Sequence, residues 1–152
     1  MGLMTALGRG RVALDTAVFI YFIEEHPDFL PLISPLFAEV AAGKREIATS
    51  SITLLEVLVV PYRTGNLPVA DRYEALLTGS RGLRLVGIDR QQLRAAAQLR
   101  ALYQLRTPDA FQLAAALSQQ CAAFLTNDRK MPHLPNLRVL QLNDYLGGKK
   151  TK

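Results

Sequence analysis

Residues 105–128 carry the strongest local signal in the chain, reading Leu-Arg-Thr-Pro-Asp-Ala-Phe-Gln-Leu-Ala-Ala-Ala-Leu-Ser-Gln-Gln-Cys-Ala-Ala-Phe-Leu-Thr-Asn-Asp. Thr107 is a good N-cap, Pro108 suits the first helical position, and Asp109 falls in the first turn, where the helix dipole favours negative charge. The helix continues nearly apolar all round through Phe111, Leu113, Ala114 and Leu117, which predicts burial on every side. After Gln119 and Gln120 comes an apolar run of strand length, 121–125, closed by the turn-formers Thr126, Asn127 and Asp128. Helix, strand and polar turn in this order put a carboxylate at the C-terminal end of a strand, the edge where open α/β sheets build their sites.

The rest of the chain repeats the pattern. A strand over 11–14 ends at Asp15, and a short helix follows to His26. Asp28 is expected to cap a second helix, whose Leu32, Ile33, Leu36, Phe37 and Val40 keep three- and four-residue spacing. A strand over 44–49 leads into the apolar run 52–60, stopped by Pro61. That run is strand or helix by composition. A loop over 63–68, a helix over 69–78, a strand over 83–88 and a long helix capped by Asp89 precede the 105–128 stretch. A last strand over 137–142 closes the chain. Strands alternating with helices predict an α/β fold with a parallel sheet covered on both faces, the first strand central.

Composition narrows the class. With 152 residues and 49% hydrophobic content, one soluble globular domain is expected. The reading is an N-terminal extension over 1–10, the domain over 11–146 and a basic tail over 147–152. The net charge is +5, but Lys149, Lys150 and Lys152 sit in the last four residues. They are read either as a solvated end or as a basic arm that meets phosphates. A lone cysteine, Cys121, forms no internal disulfide and fits a reducing compartment. No run reaches the roughly 18 apolar residues of a membrane span, and the start lacks the shape of a signal peptide, so the expected location is the cytoplasm, with no membrane contact.

Four carboxylates stand out, each with an ordinary reading beside the chemical one. Asp15 is an N-cap or a site residue, Asp109 a dipole-complementing acid or a ligand, and Asp128 a turn residue or a ligand. Glu56 lies between Leu55 and Val57, where an unpaired buried charge is costly. Either Thr53 and Glu56 form a capping box in a helix that starts late, or the helix starts at Ser50 or Ser51 and Glu56 faces the core or a site. Converging carboxylates repel and need a cation. All-oxygen ligation points to Mg2+ or Mn2+, while His26, His133 and Cys121 lack zinc-type spacing.

These residues resemble a family. Leu14-Asp15-Thr16 after the first strand, the run from Thr49 to Leu58 containing Glu56, Pro108-Asp109-Ala110-Phe111-Gln112-Leu113-Ala114, and Phe124-Leu125-Thr126-Asn127-Asp128 resemble, in order and interval, the PIN domain, and in particular the VapC-like toxins. The resemblance runs from about Arg11 to Tyr145. It implies a three-layer α/β/α domain with a central parallel sheet of about five strands, and it makes 52–60 a buried helix.

It further implies a metal-dependent endoribonuclease, the toxin of a type II toxin–antitoxin system. Asp15, Glu56, Asp109 and Asp128 would be the catalytic acids, with Asp15, Asp109 and Asp128 holding Mg2+ or Mn2+. Hydrolysis would leave a 5′-phosphate and a 3′-hydroxyl, and Arg106, Arg129 or Lys130 would help reverse the acids' field toward RNA. A cognate antitoxin and a homodimer are implied as partners.

One departure is Ala17, where the family usually has Asn or Ser. Ala17 favours the alternative of a non-catalytic PIN-like module that binds RNA or protein. Other phosphoryl-transfer folds lack their signatures. There is no Gly-Lys-Ser/Thr loop, no second acid two places after Asp15, and no paired acids after the first strand.

Overall fold

A computed structural model describes residues 2–148 of the chain. In chain order the elements are α1 (Leu3–Leu7), β1 (Val12–Leu14), α2 (Thr16–Ile23), α3 (Leu30–Ala41), β2 (Ile47–Ser50), α4 (Ile52–Thr64), α5 (Leu67–Gly79), β3 (Leu83–Val86), α6 (Arg90–Tyr103), α7 (Thr107–Ser118), β4 (Ala123–Thr126) and β5 (Arg138–Gln141). A 3-10 segment, Leu142–Gly148, follows.

The five strands form one all-parallel sheet in the order β3-β2-β1-β4-β5, so the first strand is central, as its position in the sequence predicts. The strand side chains alternate between two cores, the period-2 consequence of the pleat. Val12, Leu14, Ile47 and Leu125 face one side with Phe19, Ile33 and Tyr73 from α2, α3 and α5. Ala13, Ala48 and Phe124 face the other with Leu99 of α6 and Ala110, Leu113 and Ala114 of α7. Helices therefore cover both faces, and β1, β2 and β4 are buried along their whole length. The small side chains of Ala13 and Ala48 let α7 lie close against β1 and β2.

Several local expectations shift. The helix expected to stop at Pro61 runs on to Thr64. Thr53, Val57 and Pro61 form a buried stripe at four-residue spacing, and packing of that stripe offsets the backbone bond that Pro61 cannot make. The loop expected over 63–68 shrinks to Gly65, in the left-handed conformation that ends α4, and Asn66, whose Oδ1 accepts from the Val69 N–H at 3.3 Å to cap α5. Asp28 does not cap α3: Phe29 holds that position, with Pro31 in the first turn. Strand limits move by one to a few residues, because pairing sets them. Ile47 begins β2 opposite both Val12 and Leu83.

Of the residues expected as an extension, those from Leu3 to Leu7 pack onto the same core. Leu3 and Leu7 are buried. Arg138 donates to the Ala6 and Leu7 carbonyls at 2.6 and 2.8 Å, and Arg45 to those of Gly8 and Gly10 at 2.8 and 2.9 Å. Of the expected basic tail, Lys149, Lys150 and Lys152 lie outside the described residues. Among the described residues no helix is long and apolar enough to cross a membrane.

Candidate active site

The strand order reverses direction between β1 and β4, and this switch point is where an open α/β sheet leaves a crevice at its carboxyl edge. Asp15 follows β1 there. Its Oδ1 accepts from the Thr16 N–H at 2.8 Å, so it is the N-cap of α2, and its Oδ2 accepts from the Thr126 hydroxyl at the end of β4 at 2.6 Å. The cap reading of Asp15 therefore holds, and the Thr126 bond ties its second oxygen to the end of β4. The Thr126 hydroxyl also accepts from the Asp128 N–H at 3.0 Å, which ties the turn after β4 to Asp15. Asp128 itself sits in a tight turn, its Oδ1 accepting from the Lys130 N–H at 2.9 Å.

Glu56 is not part of a capping box. The helix starts at Ile52, one turn ahead of it, and Glu56 Oε1 accepts from the Thr16 hydroxyl at 2.5 Å. Asp109 lies in the first turn of α7, as expected, but the residue at the cap position is Arg106, with extended backbone, and not Thr107. The Arg106 side chain folds back onto Asp109 as a two-pronged pair, Nε to Oδ2 at 3.0 Å and Nη2 to Oδ1 at 3.2 Å. The Thr107 hydroxyl instead accepts from Arg100 at 3.1 Å.

Electrostatics link the four acids. Burial pushes the Asp15 carboxyl above the usual carboxylate range. The bonds from Thr126 and Thr16 pull it down, and the negative charges of Asp109 and Glu56 push it up again. Asp109 holds the Arg106 guanidinium charged, with Asp128 and Glu56 adding to that field. Arg129 points elsewhere, paired with Asp144 at 2.5 Å, and Lys130 is exposed. Of the three cations expected near the acids, Arg106 is the one bonded to an acid of the site.

A desolvated carboxylate on which the negative charges of Asp109 and Glu56 also bear is the kind of donor a hard divalent cation takes. Among the described residues no three Asp, Glu, His or Cys side chains are already gathered as a metal cage. Both oxygens of Asp109 are engaged by Arg106 instead.

Beneath the acids runs a polar layer that the sequence reading did not single out. The Gln112 amide is buried between three elements. Its Oε1 accepts from the Ser50 N–H at 3.2 Å, and its Nε2 donates to the Thr53 hydroxyl at 2.7 Å and the Thr16 hydroxyl at 3.2 Å. Thr49, 2.6 Å from the Thr53 hydroxyl, donates to the Leu14 carbonyl at 2.9 Å. That carbonyl lies beyond the last paired residues of β1 and β2, so the Thr49 hydroxyl satisfies it where the two strands part. The signal available in sequence was Gln112 itself, the one polar side chain among the apolar residues 110–117, one turn after Asp109. Ala17 adds no polar group, and the hydroxyls on the acids come from Thr16 and Thr126.

The fold matches what the four sequence segments resemble. The family model described as PIN domain matches residues 12–137, and the chain belongs to that family. No curated protein sequence matches it. Among solved structures, it is similar to a toxin–antitoxin complex from Klebsiella pneumoniae, 21% identical with a TM-score of 0.62 over 83% of this chain and 94% of that one. A DNA-bound VapBC from Salmonella typhimurium is 21% identical, with a TM-score of 0.59 over 88% of this chain and 99% of that one. VapC20 of Mycobacterium tuberculosis, described as a sarcin–ricin-loop-cleaving toxin, is 15% identical, with a TM-score of 0.61 over 74% of this chain and 86% of that one. At these identities the likeness is one of fold.

Proposed function

We propose that this chain is a metal-dependent endoribonuclease and the toxin of a toxin–antitoxin pair. The observation that carries the reading is Asp15. It is desolvated at the carboxyl end of the central strand, and Asp109 and Glu56 bear on it as like charges. Such convergence raises the energy of the ionised site and is relieved by a divalent cation. Asp15, Asp109 and Asp128 would hold Mg2+ or Mn2+. The bound ion supplies positive charge to a phosphodiester and makes water a better nucleophile at neutral pH.

The chain's own residues do the rest. Glu56, fixed by the Thr16 hydroxyl, orients water toward the phosphorus. Thr126 holds Asp15 against the turn that carries Asp128. Arg106, exposed at the rim, meets the phosphate backbone once it leaves Asp109. An antitoxin, a second copy of the chain and the cytoplasm complete the reading. Support comes from family membership and from the toxin–antitoxin complexes among the similar folds.

The deciding experiment is cleavage of total cellular RNA by the purified protein with Mg2+, Mn2+ or EDTA, beside Asp109→Asn. Discrete fragments that vanish with EDTA and in the variant are expected, and mapping their ends names the substrate.

The Arg106–Asp109 pair favours a second reading, a PIN-like module that binds RNA or protein without cutting, because the pair already neutralises one acid. RNA retained in EDTA, with no cleavage in either metal, decides for that reading.

A further inference from the structure

Each of the four acids has a neutral polar partner close by in sequence: Thr16 beside Asp15, Thr53 one turn before Glu56, Gln112 one turn after Asp109, and Thr126 two places before Asp128. Three of these partners, Thr16, Thr53 and Gln112, meet one another. We propose that Gln112 and Thr16 are positioning residues of the acid site, a one-directional hydrogen-bond relay that holds Glu56 in register with Asp15 and Asp109. The proposal rests on the ribonuclease reading above for its catalytic consequence.

The direction of the relay follows from the donors and acceptors available. The Ser50 N–H is an obligatory donor, so the Gln112 atom 3.2 Å from it is the oxygen. Turning the amide over would set an NH2 against that N–H. With the oxygen fixed there, the NH2 faces the other way and its two hydrogens go to Thr53 at 2.7 Å and Thr16 at 3.2 Å. The Thr16 oxygen is then an acceptor toward Gln112, and its single hydrogen goes to Glu56 Oε1 at 2.5 Å.

Gln112 is 2% exposed and Thr53 fully buried, so their partners are fixed by the fold and not shared with solvent. The relay spans α7, α2 and α4. It gives the Glu56 carboxylate a donor anchored to the same helix that carries Asp109 and to the residue next to Asp15. A 1 Å error in that placement is enough to cost most of a catalytic rate.

The test compares Thr16→Val, Thr16→Ser, Gln112→Met and the double variant Thr16→Val/Gln112→Met. Thermal unfolding in EDTA, Mn2+ binding by calorimetry, and kcat and KM on RNA are the three readouts. Thr16→Val is expected to lower kcat about a hundredfold while KM and the Mn2+ Kd stay at their wild-type values. Thr16→Ser, which keeps the hydroxyl, restores kcat. Gln112→Met lowers kcat in the same way, and the double variant is no worse than the poorer single variant, since both changes cut one relay. A Thr16→Val enzyme with wild-type kcat, or losses that multiply in the double variant, overturns the proposal. If the wild-type protein cuts no RNA, the ribonuclease reading falls by itself. The unfolding data then decide the relay: losses in Tm that do not add support it, and losses that add overturn it.

Discussion

The Thr126 hydroxyl lies 2.6 Å from Asp15 Oδ2, joining the ends of two adjacent strands whose residues are 111 positions apart. Together with the Thr126 bond to the Asp128 N–H, it makes one rigid corner of Asp15, Thr126 and the turn after β4. Placement of the first acid is therefore built into the sheet, while its charge is opposed by its surroundings.

That opposition sets a sign for stability. The folded state raises the Asp15 pKa above its ordinary 3.8, so it favours the protonated form. The resulting stabilisation is full below the ordinary value and is lost as pH rises through the raised one. At neutral pH without metal, ionised Asp15 is a cost. Asp15→Asn keeps an N-cap oxygen and is expected to unfold in EDTA at a Tm equal to or above wild type. Mn2+ is expected to raise the wild-type Tm and leave that of the variant unchanged, with RNA cleavage lost. A differential scanning measurement with and without Mn2+ reads all but the last.

Arg106 and a metal ion would compete for the same two oxygens of Asp109. Arg106→Ala is expected to tighten Mn2+ binding and, in the same protein, to weaken RNA binding, with a shallower dependence on salt. Calorimetry with Mn2+ and filter binding with RNA across a salt series check the two opposite signs. Looser Mn2+ binding in the variant would count against Arg106 as a competitor.

Cys121 is buried, and burial pushes its thiol up from 9.0 to about 11. The native protein should therefore react slowly with iodoacetamide at pH 8 and fully once unfolded in urea, because the thiolate is the reacting form. The neutral thiol is the form that the fold favours, so its contribution to stability is full below pH 9.0 and declines as pH rises toward about 11. Urea unfolding at intervals across that range should show the decline, and Cys121→Ala should remove this part of it.

Gly82 precedes β3 and lies against Val40 of α3. A Cβ there would stand 2.8 Å from Val40 Cγ1 and 3.2 Å from two backbone carbonyl oxygens, those of Val40 and Arg45. Gly82→Ala is expected to destabilise the fold by about 1–3 kcal/mol, the usual cost of overpacking. Urea unfolding measures it, with Gly79→Ala, whose added Cβ meets nothing within 4 Å, as the neutral comparison.

The sequence by itself determined the alternation of strands and helices from β1 onward, the parallel sheet and the central first strand. Each of these rests on local chemistry: hydrophobic period, turn-formers, and a carboxylate at a strand or helix end. A reader of Thr-Pro-Asp followed by an apolar run meets the same helix start that the fold uses, shifted by one residue at its cap.

Only the tertiary structure decided where the polar side chains go. Gln112 reads as a flaw in an apolar helix until Ser50, Thr53 and Thr16 arrive around it from 62, 59 and 96 positions away. Pro61 reads as a stop until its stripe on α4 is buried, and the stretch from Ala6 to Gly10 reads as part of an extension until Arg138 and Arg45 bind its carbonyls. In each case the deciding partner is distant in the chain. Hydrogen bonds and packing between distant residues exist only once the sheet has brought its strands together, whereas period and capping are written in neighbouring residues.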